Sequence, residues 1–280
     1  MYKIQYSFFR KITLCCLLTT FILQAQTHVY NDVKIDSLTF ANTRKELANI
    51  STEKFLKKVF KNTTTELPYR LLLPQQMDTG KKYPLVITFH NSTRIGTDNE
   101  NQLEPLARIW LRDTVYNKFG CFVIAPQFKE RSSNYINNSN GILTSEPSKD
   151  VSALLELIRN IEQEYPNIDK NRIYLVGYSM GASTAQNLMS IAPEKFAAMV
   201  SVAAVPDFSG LNKIKNKNIW LIHGAQDTEN PYKGSEALFQ NLKNNKQLLF
   251  TTYTNLNHNN ITIPLLLDDT IPKWLFEKKN

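Results

Sequence analysis

Beyond residue 65, short apolar runs recur along the chain with polar or helix-spaced stretches between them. They are YRLLLP (69–74), YPLVITFH (83–90), CFVIAP (121–126), RIYLVGY (172–178), FAAMVSVAA (196–204), NIWLIHG (218–224) and LLFTTY (248–253). The middle runs are apolar without alternation, the pattern of parallel strands covered on both faces. Over 148–165, Val151, Leu154, Leu155, Ile158 and Ile161 recur at three- and four-residue spacing until Pro166, which predicts a helix. Further helices are predicted over 180–192, 233–244 and 271–278. Strands alternating with helices imply an α/β fold with an open, mostly parallel sheet and helices on both faces. The pattern gives one domain over 66–280, preceded by an N-terminal extension over 26–65, and no internal repeat.

The first 25 residues follow another pattern. Lys3, Arg10 and Lys11 precede the 12-residue apolar run Ile12–Leu23, and Gln24-Ala25-Gln26 follows. A basic start, a short apolar run and a small residue after it describe a secretory signal. The run falls short of the roughly 20 residues that span a bilayer. Residues 1–25 are therefore expected to be removed, leaving a secreted or periplasmic protein without stable membrane insertion. Leu14 before Cys15 argues against a lipid anchor.

That cleavage would leave Cys121 as the single cysteine, expected to be a buried strand residue without disulfide or nucleophilic duty. The formal charge of +8 becomes +5 once the signal's three basic residues are removed. The remaining lysines are scattered in pairs, with no aromatic interleaving and no helix-turn-helix or zinc-finger spacing. Nucleic acid is not an expected partner, and neither a metal nor an organic cofactor is expected.

Open α/β sheets carry their sites beyond the carboxyl ends of strands, so candidate chemistry is expected there. Two of the chain's nine glycines bracket Ser179 in Gly177-Tyr178-Ser179-Met180-Gly181. That spacing fits a sharp strand-to-helix turn that lifts a serine hydroxyl clear of the sheet. Asp227 follows the run ending at Gly224, and His258 lies in the polar loop after the last run. Ser, Asp, His is the chain order of the strand–elbow–helix serine hydrolases. Ser179 would be the nucleophile, His258 the base and Asp227 the group that orients it. Asp207 is the rival acid, since it follows the neighbouring strand end; the pair Asp268-Asp269 is a remoter one. Met180 N–H and Ser92 N–H are the expected oxyanion donors. His90 and His223, which end apolar runs, are expected to make local, loop-shaping bonds, and His28, at the signal junction, to be disordered or near the cleaved end.

These residues resemble the phospholipase/carboxylesterase branch of the α/β-hydrolases, whose secreted members are also labelled predicted peptidases. The branch is similar to dienelactone-hydrolase-like and feruloyl or acetylxylan esterases. The resemblance covers about 66–278 and rests on LPYRLLLP, KKYPLVITFH, RIGTDNENQL, VIAPQ, IDKNRIYLVGYSMGAS, WLIHGAQDTENP and NHNN, in that order. It implies an α/β-hydrolase fold and a serine esterase of the carboxylesterase type (EC 3.1.1). The implied nucleophile is Ser179, the acid Asp227 and the base His258, with an oxyanion loop over His90 to Ser92. The chain departs from the family in having Asn91 where glycine is usual, a residue expected to meet a positive φ there. Ala182 replaces a second elbow glycine, and Ile261 stands where tryptophan is common.

Two segments are candidates for setting specificity. The stretch 128–147 is long and asparagine-rich, and reads either as a binding loop that uses Phe128 and Tyr135 or as a floppy insertion. Arg94 is expected to pack against Asp98. The expected substrate is a small-molecule or carbohydrate ester with a short or aromatic acyl group. A peptidase acting on short peptides and a catalytically inactive binding protein of the same fold remain open.

Overall fold

The computed structural model describes residues 26–280; the predicted signal lies outside them. The strands are β1 (Thr27–Asn31), β2 (Phe55–Lys61), β3 (Glu66–Leu72), β4 (Tyr83–Phe89), β5 (Phe122–Pro126), β6 (Ser133–Asn137), β7 (Leu143–Pro147), β8 (Ile168–Tyr178), β9 (Ala198–Val202), β10 (Asn218–Gly224) and β11 (Leu248–Tyr253). The helices are α1 (Ser37–Ala48), α2 (Asp113–Tyr116), α3 (Asp150–Glu164), α4 (Met180–Ile191), α5 (Leu211–Ile214), α6 (Tyr232–Asn241), α7 (Ile263–Leu266) and α8 (Thr270–Phe276).

Nine strands form one sheet in the order β1-β11-β10-β9-β8-β4-β5-β3-β2. All pairs are parallel except β2–β3 and β3–β5. Every residue of β4, β5 and β9 is buried, because helices cover both faces. On one face Leu85, Ile87, Ile173 and Leu175 meet Leu154 and Ile158 of α3, Leu188 and Met189 of α4, and Leu238 of α6. On the other, Val86, Tyr174, Val176 and Trp220 meet Trp110, α7 and α8. The mostly parallel sheet with helices on both faces is the α/β architecture read from the hydrophobic pattern.

The segment read as an N-terminal extension supplies both edge strands. β1 pairs with β11 and β2 pairs with β3. His28, expected to be disordered or near the cleaved end, is ordered: it stacks on Phe250 at 4.6 Å and shares a hydrogen bond with Thr252 at 2.8 Å. An aromatic ring on a strand gains more from such a neighbour than from water.

The stretch 128–147 is no floppy insertion either. It folds into the antiparallel hairpin β6–β7, whose turn is closed by Asn138: its Oδ1 accepts the N–H groups of Asn140 and Ile142. Its root is fastened to the molecule. Ser145 N–H donates to Pro206 O at 2.8 Å, Ser133 Oγ donates to the buried Asn187 Oδ1 at 2.8 Å, and Ser132 pairs with Thr184. Phe128 is fully buried against His90, so it belongs to the core.

β4 is the topological switch of the sheet. The chain runs from β4 to β5 on one side, then returns as β8 on the other and continues outward through β9, β10 and β11. Loops leaving β4 and β8 therefore diverge and open a crevice at the carboxyl ends of the strands, where open α/β sheets bind ligands.

Candidate active site

Ser179 sits at the corner between β8 and α4 with φ 57° and ψ −123°. A non-glycine residue in that region is strained, and such strain persists only where the surroundings enforce it. Here packing on both sides enforces it. A Cβ on Gly177 would lie 2.3 Å from Gly181 O, and one on Gly181 would lie 2.4 Å from Phe89 O and 2.6 Å from His90 O. The two glycines thus let the turn close on itself and seat it against the end of β4, bringing the loop that carries Ser92 to the first turn of α4. Neither the Met180 nor the Ser92 N–H enters the turn and cap hydrogen bonds around it. As the first groups of a helical turn they have no intrahelical partner and are available to a ligand.

The loop after β4 takes a different course from the one its sequence suggested. Asn91 has φ −79°, ordinary extended backbone, and its Oδ1 accepts Thr93 N–H to start a short 3-10 turn over Ser92–Arg94. Asparagine serves here as a cap. The positive φ expected from the departure at this position is absent. His90 locks the turn from below: Nδ1–H donates to Asn91 O at 2.7 Å, while Nε2 accepts Phe128 N–H at 3.1 Å. Burial pushes this imidazole down to about 4, so it stays neutral, as the two bonds require. Arg94 does not meet Asp98. It pairs with Glu104 at 2.6 Å, and Asp98 instead accepts from Glu100 N–H, Asn101 and Gln127.

The candidate acid and base follow the ends of β10 and β11. Gly224 ends β10 where a Cβ would strike Leu256 O at 2.3 Å, so the loop carrying His258 folds directly over the loop carrying Asp227. Gln226 N–H donates to the same Leu256 O at 3.0 Å. Tyr178, the residue before the serine, donates its hydroxyl to His258 O at 2.7 Å. Held this way, His258 Nδ1 lies 2.7 Å from Asp227 Oδ2 and His258 Nε2 lies 2.9 Å from Ser179 Oγ. Nδ1–H donates to the carboxylate, and Ser179 O–H donates to Nε2. All three residues are buried.

Burial alone would raise the Asp227 carboxyl. The hydrogen bonds from His223 and His258, and the attraction of both rings, outweigh it and hold the group far below the usual carboxylate range. Oδ1 meanwhile accepts the N–H groups of Glu229 and Asn230 at 3.0 and 2.9 Å. The rival acid stands elsewhere: Asp207 accepts from Asn187 Nδ2 at 3.1 Å and from Ser209 N–H, and makes no bond to His258. Asp269 pairs with Lys118 and Lys273.

Of the further residues at the site, Tyr135 was singled out from the sequence and the others were not. Asn230 Nδ2 donates to Ala203 O at 2.8 Å and lies 3.5 Å from Ser179 Oγ. Ala203, the residue after β9, has φ 53°, a second strained corner beside the elbow. Glu229 places Oε2 3.9 Å from His258 Nε2, while Asn259 holds its Oε1 at 2.8 Å. The hairpin contributes Tyr135, whose hydroxyl lies 3.3 Å from Ser183 Oγ one turn below the elbow, with Arg131 stacked 4.4 Å above its ring. Ser179, Asp227, His258 and Tyr135 were readable along the chain; a single asparagine or glutamate in a polar loop carries no comparable signal.

The mostly parallel sheet and the strained serine corner are those of the α/β-hydrolase fold. Residues 136–263 match the family described as Phospholipase/Carboxylesterase, a stretch that contains Ser179, Asp227 and His258. A solved structure described as a thermostable esterase is 31% identical, with TM-score 0.73, over 81% of this chain and 64% of that one. The bifunctional acetylxylan esterase/xylanase XynS20E of Neocallimastix patriciarum is 26% identical over 161 residues, 57% of this chain and 22% of that protein. This chain therefore spans about a fifth of that relative and less than two thirds of the thermostable esterase. A structure described as a ferulic acid esterase shares the fold, at TM-score 0.59 and 14% identity over 80% of this chain and 98% of its own. Among the described residues no helix is long and apolar enough to cross a membrane.

Proposed function

We propose that this chain is a serine esterase that hydrolyses short-acyl or aromatic-acyl esters, carbohydrate-linked ones among them. The observation that carries the reading is the continuous line of hydrogen bonds from Ser179 through His258 to Asp227, at 2.9 and 2.7 Å, starting at a strained corner. Ser179 Oγ attacks the ester carbonyl while His258 Nε2 takes its proton. The carbonyl oxygen becomes an oxyanion received by the N–H groups of Met180 and Ser92, each such donor being worth roughly 3 kcal/mol in the transition state. His258 returns the proton to the departing alcohol. Water, deprotonated by the same imidazole, then releases the acid from Ser179. Asp227 keeps Nδ1 protonated and stabilises the imidazolium.

The surroundings support the substrate class. Glu229, Asn230, Asn259 and Tyr135 line the approach to Ser179 and His258 with groups that bond hydroxyls. Pro231, next to Asn230 in the chain, lines a cavity of about 290 Å³ with Asn137, Ile142, Leu143, Val205, Pro206 and Lys233. A space of that size takes a compact acyl group more readily than a long chain. The names of the acetylxylan esterase relative and of the thermostable esterase agree with this reading. Export belongs to the proposal too: with the signal removed near Gln26, the secreted or periplasmic chain would begin one residue before β1.

Purified protein labelled with a fluorophosphonate, then assayed on acetyl, butyryl, feruloyl and dodecanoyl esters beside a peptide amide, tests the proposal. Ser179 should be the labelled residue, and Ser179→Ala should lose turnover by about a millionfold. Residual activity of a few per cent in Ser179→Ala would remove the nucleophile assignment. Best turnover on the dodecanoyl ester or the amide would remove the substrate class.

A further inference from the structure

His223 ends β10, and its chemistry is not used up by shaping a loop. The ring is fully buried. Nε2 lies 3.1 Å from Asp227 Oδ2 and 2.9 Å from Asn230 O. Both partners are acceptors, so Nε2 carries the proton and shares it between them. Nδ1 lies 2.7 Å from Ser235 Oγ of α6, whose hydroxyl is placed to donate to it. Asp227 Oδ2 therefore receives two imidazole N–H groups, one from His258 at 2.7 Å and one from His223 at 3.1 Å.

We propose that His223 is a positioning residue of the catalytic triad: a second imidazole donor that fixes the rotation of the Asp227 carboxylate and, by sharing Oδ2, limits its pull on His258. This rests on the triad reading of Ser179, His258 and Asp227 given above. Two main-chain N–H groups already hold Oδ1. Without His223, the bond to His258 would be the only one left to hold Oδ2. The same ring also grips Asn230 O, and Asn230 in turn reaches Ser179 Oγ and the strained Ala203. One side chain thus ties the acid to the nucleophile's side of the site.

Sharing the oxygen has a consequence for pH. A carboxylate oxygen that accepts from one donor alone bonds it more strongly than one divided between two. Losing His223 should strengthen the Asp227 bond to His258 and stabilise the His258 imidazolium, so that the free base appears only at higher pH. The groups facing His223 are Asp227 and Asn230 from its own loop, Ser235 from α6, and Tyr232, edge-on at 5.9 Å. Of these Asp227 carries the charge. Facing His258 are Asp227 at Nδ1, Glu229 at Nε2 and, from β8, the Tyr178 ring at 5.2 Å.

The full chain and its His223→Phe and His223→Gln variants provide the test, glutamine being able to place an N–H where Nε2 lies. Turnover of p-nitrophenyl acetate is followed from pH 5 to 9 and expressed per site, with sites counted by fluorophosphonate titration. His223→Phe should lose about ten- to a hundredfold in kcat, the usual effect of removing a hydrogen bond to a charged group, with KM little changed. Its acid limb should move to higher pH, and His223→Gln should restore most of the rate and the position of the limb. In a Ser179→Ala background, the His258 Nδ1 proton resonance should move downfield on adding His223→Phe. A rate loss with an unmoved limb and an unmoved resonance would reduce His223 to a structural role and overturn the proposal. Wild-type protein inert on every ester, with the resonance still shifted, would overturn the esterase reading and keep the His223 contact.

Discussion

Each histidine among the described residues acts through what it is bonded to. His90 is buried below the loop that carries Ser92 and must be neutral to accept from Phe128 N–H through Nε2. Burial lowers it from 6.5 to about 4 in the folded chain. Above pH 6.5 it is neutral whether folded or unfolded. As pH falls from 6.5 towards 4 the unfolded chain gains a proton that the folded chain refuses, so stability is lost through that window. The difference amounts to on the order of 3 kcal/mol once both limits are passed. Asp227, held far below the usual carboxylate range, acts later, as pH falls below its ordinary 3.8. Thermal melts between pH 4 and 7 should therefore slope downward on acidification, and His90→Asn should flatten the slope while lowering the plateau. An equal slope in both proteins would place the acid sensitivity elsewhere.

At the scale of elements, the hairpin β6–β7 decides what surrounds Ser179, and one side chain on α4 does much to fasten it. Asn187 is fully buried; it accepts from Ser133 Oγ and donates to Ser145 Oγ at 3.3 Å and to Asp207 Oδ2 at 3.1 Å. Asn187→Ala leaves Ser145 Oγ and Asp207 Oδ2 unpaired, at a cost of about 1–3 kcal/mol. Urea denaturation should show that loss. Ester hydrolysis should show a raised KM with kcat less affected, because the hairpin carries Tyr135 and part of the apolar cavity. An unaltered KM would mean that the hairpin takes no part in binding.

The whole molecule depends on edges that contain few core residues. β2, with Lys57, Lys58 and Lys61, is an edge strand of the kind that charge protects from pairing with other chains. β1 has no such charge and closes the other edge, with His28 stacked between Tyr30 and Phe250. Deleting residues 26–36 would bare the edge of β11 and remove the His28–Thr252 bond. The shortened protein should melt several degrees lower and aggregate faster on warming. Calorimetry and light scattering would measure both effects, and an unaltered melt with clear solutions would show that β1 contributes nothing to the closed edge.

Legibility followed the physics of each region. The continuous apolar runs of β4, β5, β8, β9 and β10 gave the buried parallel sheet from sequence alone, since strands covered on both faces must be apolar at every position. The bounds read for β10 and β11 coincide with those in the structure. Gly177, Ser179 and Gly181 announced the elbow because close backbone packing leaves no room for a Cβ on either glycine. Chain order brought Asp227 and His258 to attention as residues beyond strand ends. Edge and hairpin strands escaped: β1, β2, β6 and β7 are partly exposed and rich in Lys, Asn and Ser, so their composition reads as solvated loop. Only the tertiary structure decided which acid meets His258, that Asn91 caps a turn, and that His223 and Asn230 join Asp227. Those contacts run between side chains and loop carbonyls brought together by strand packing, and no period along the chain encodes them.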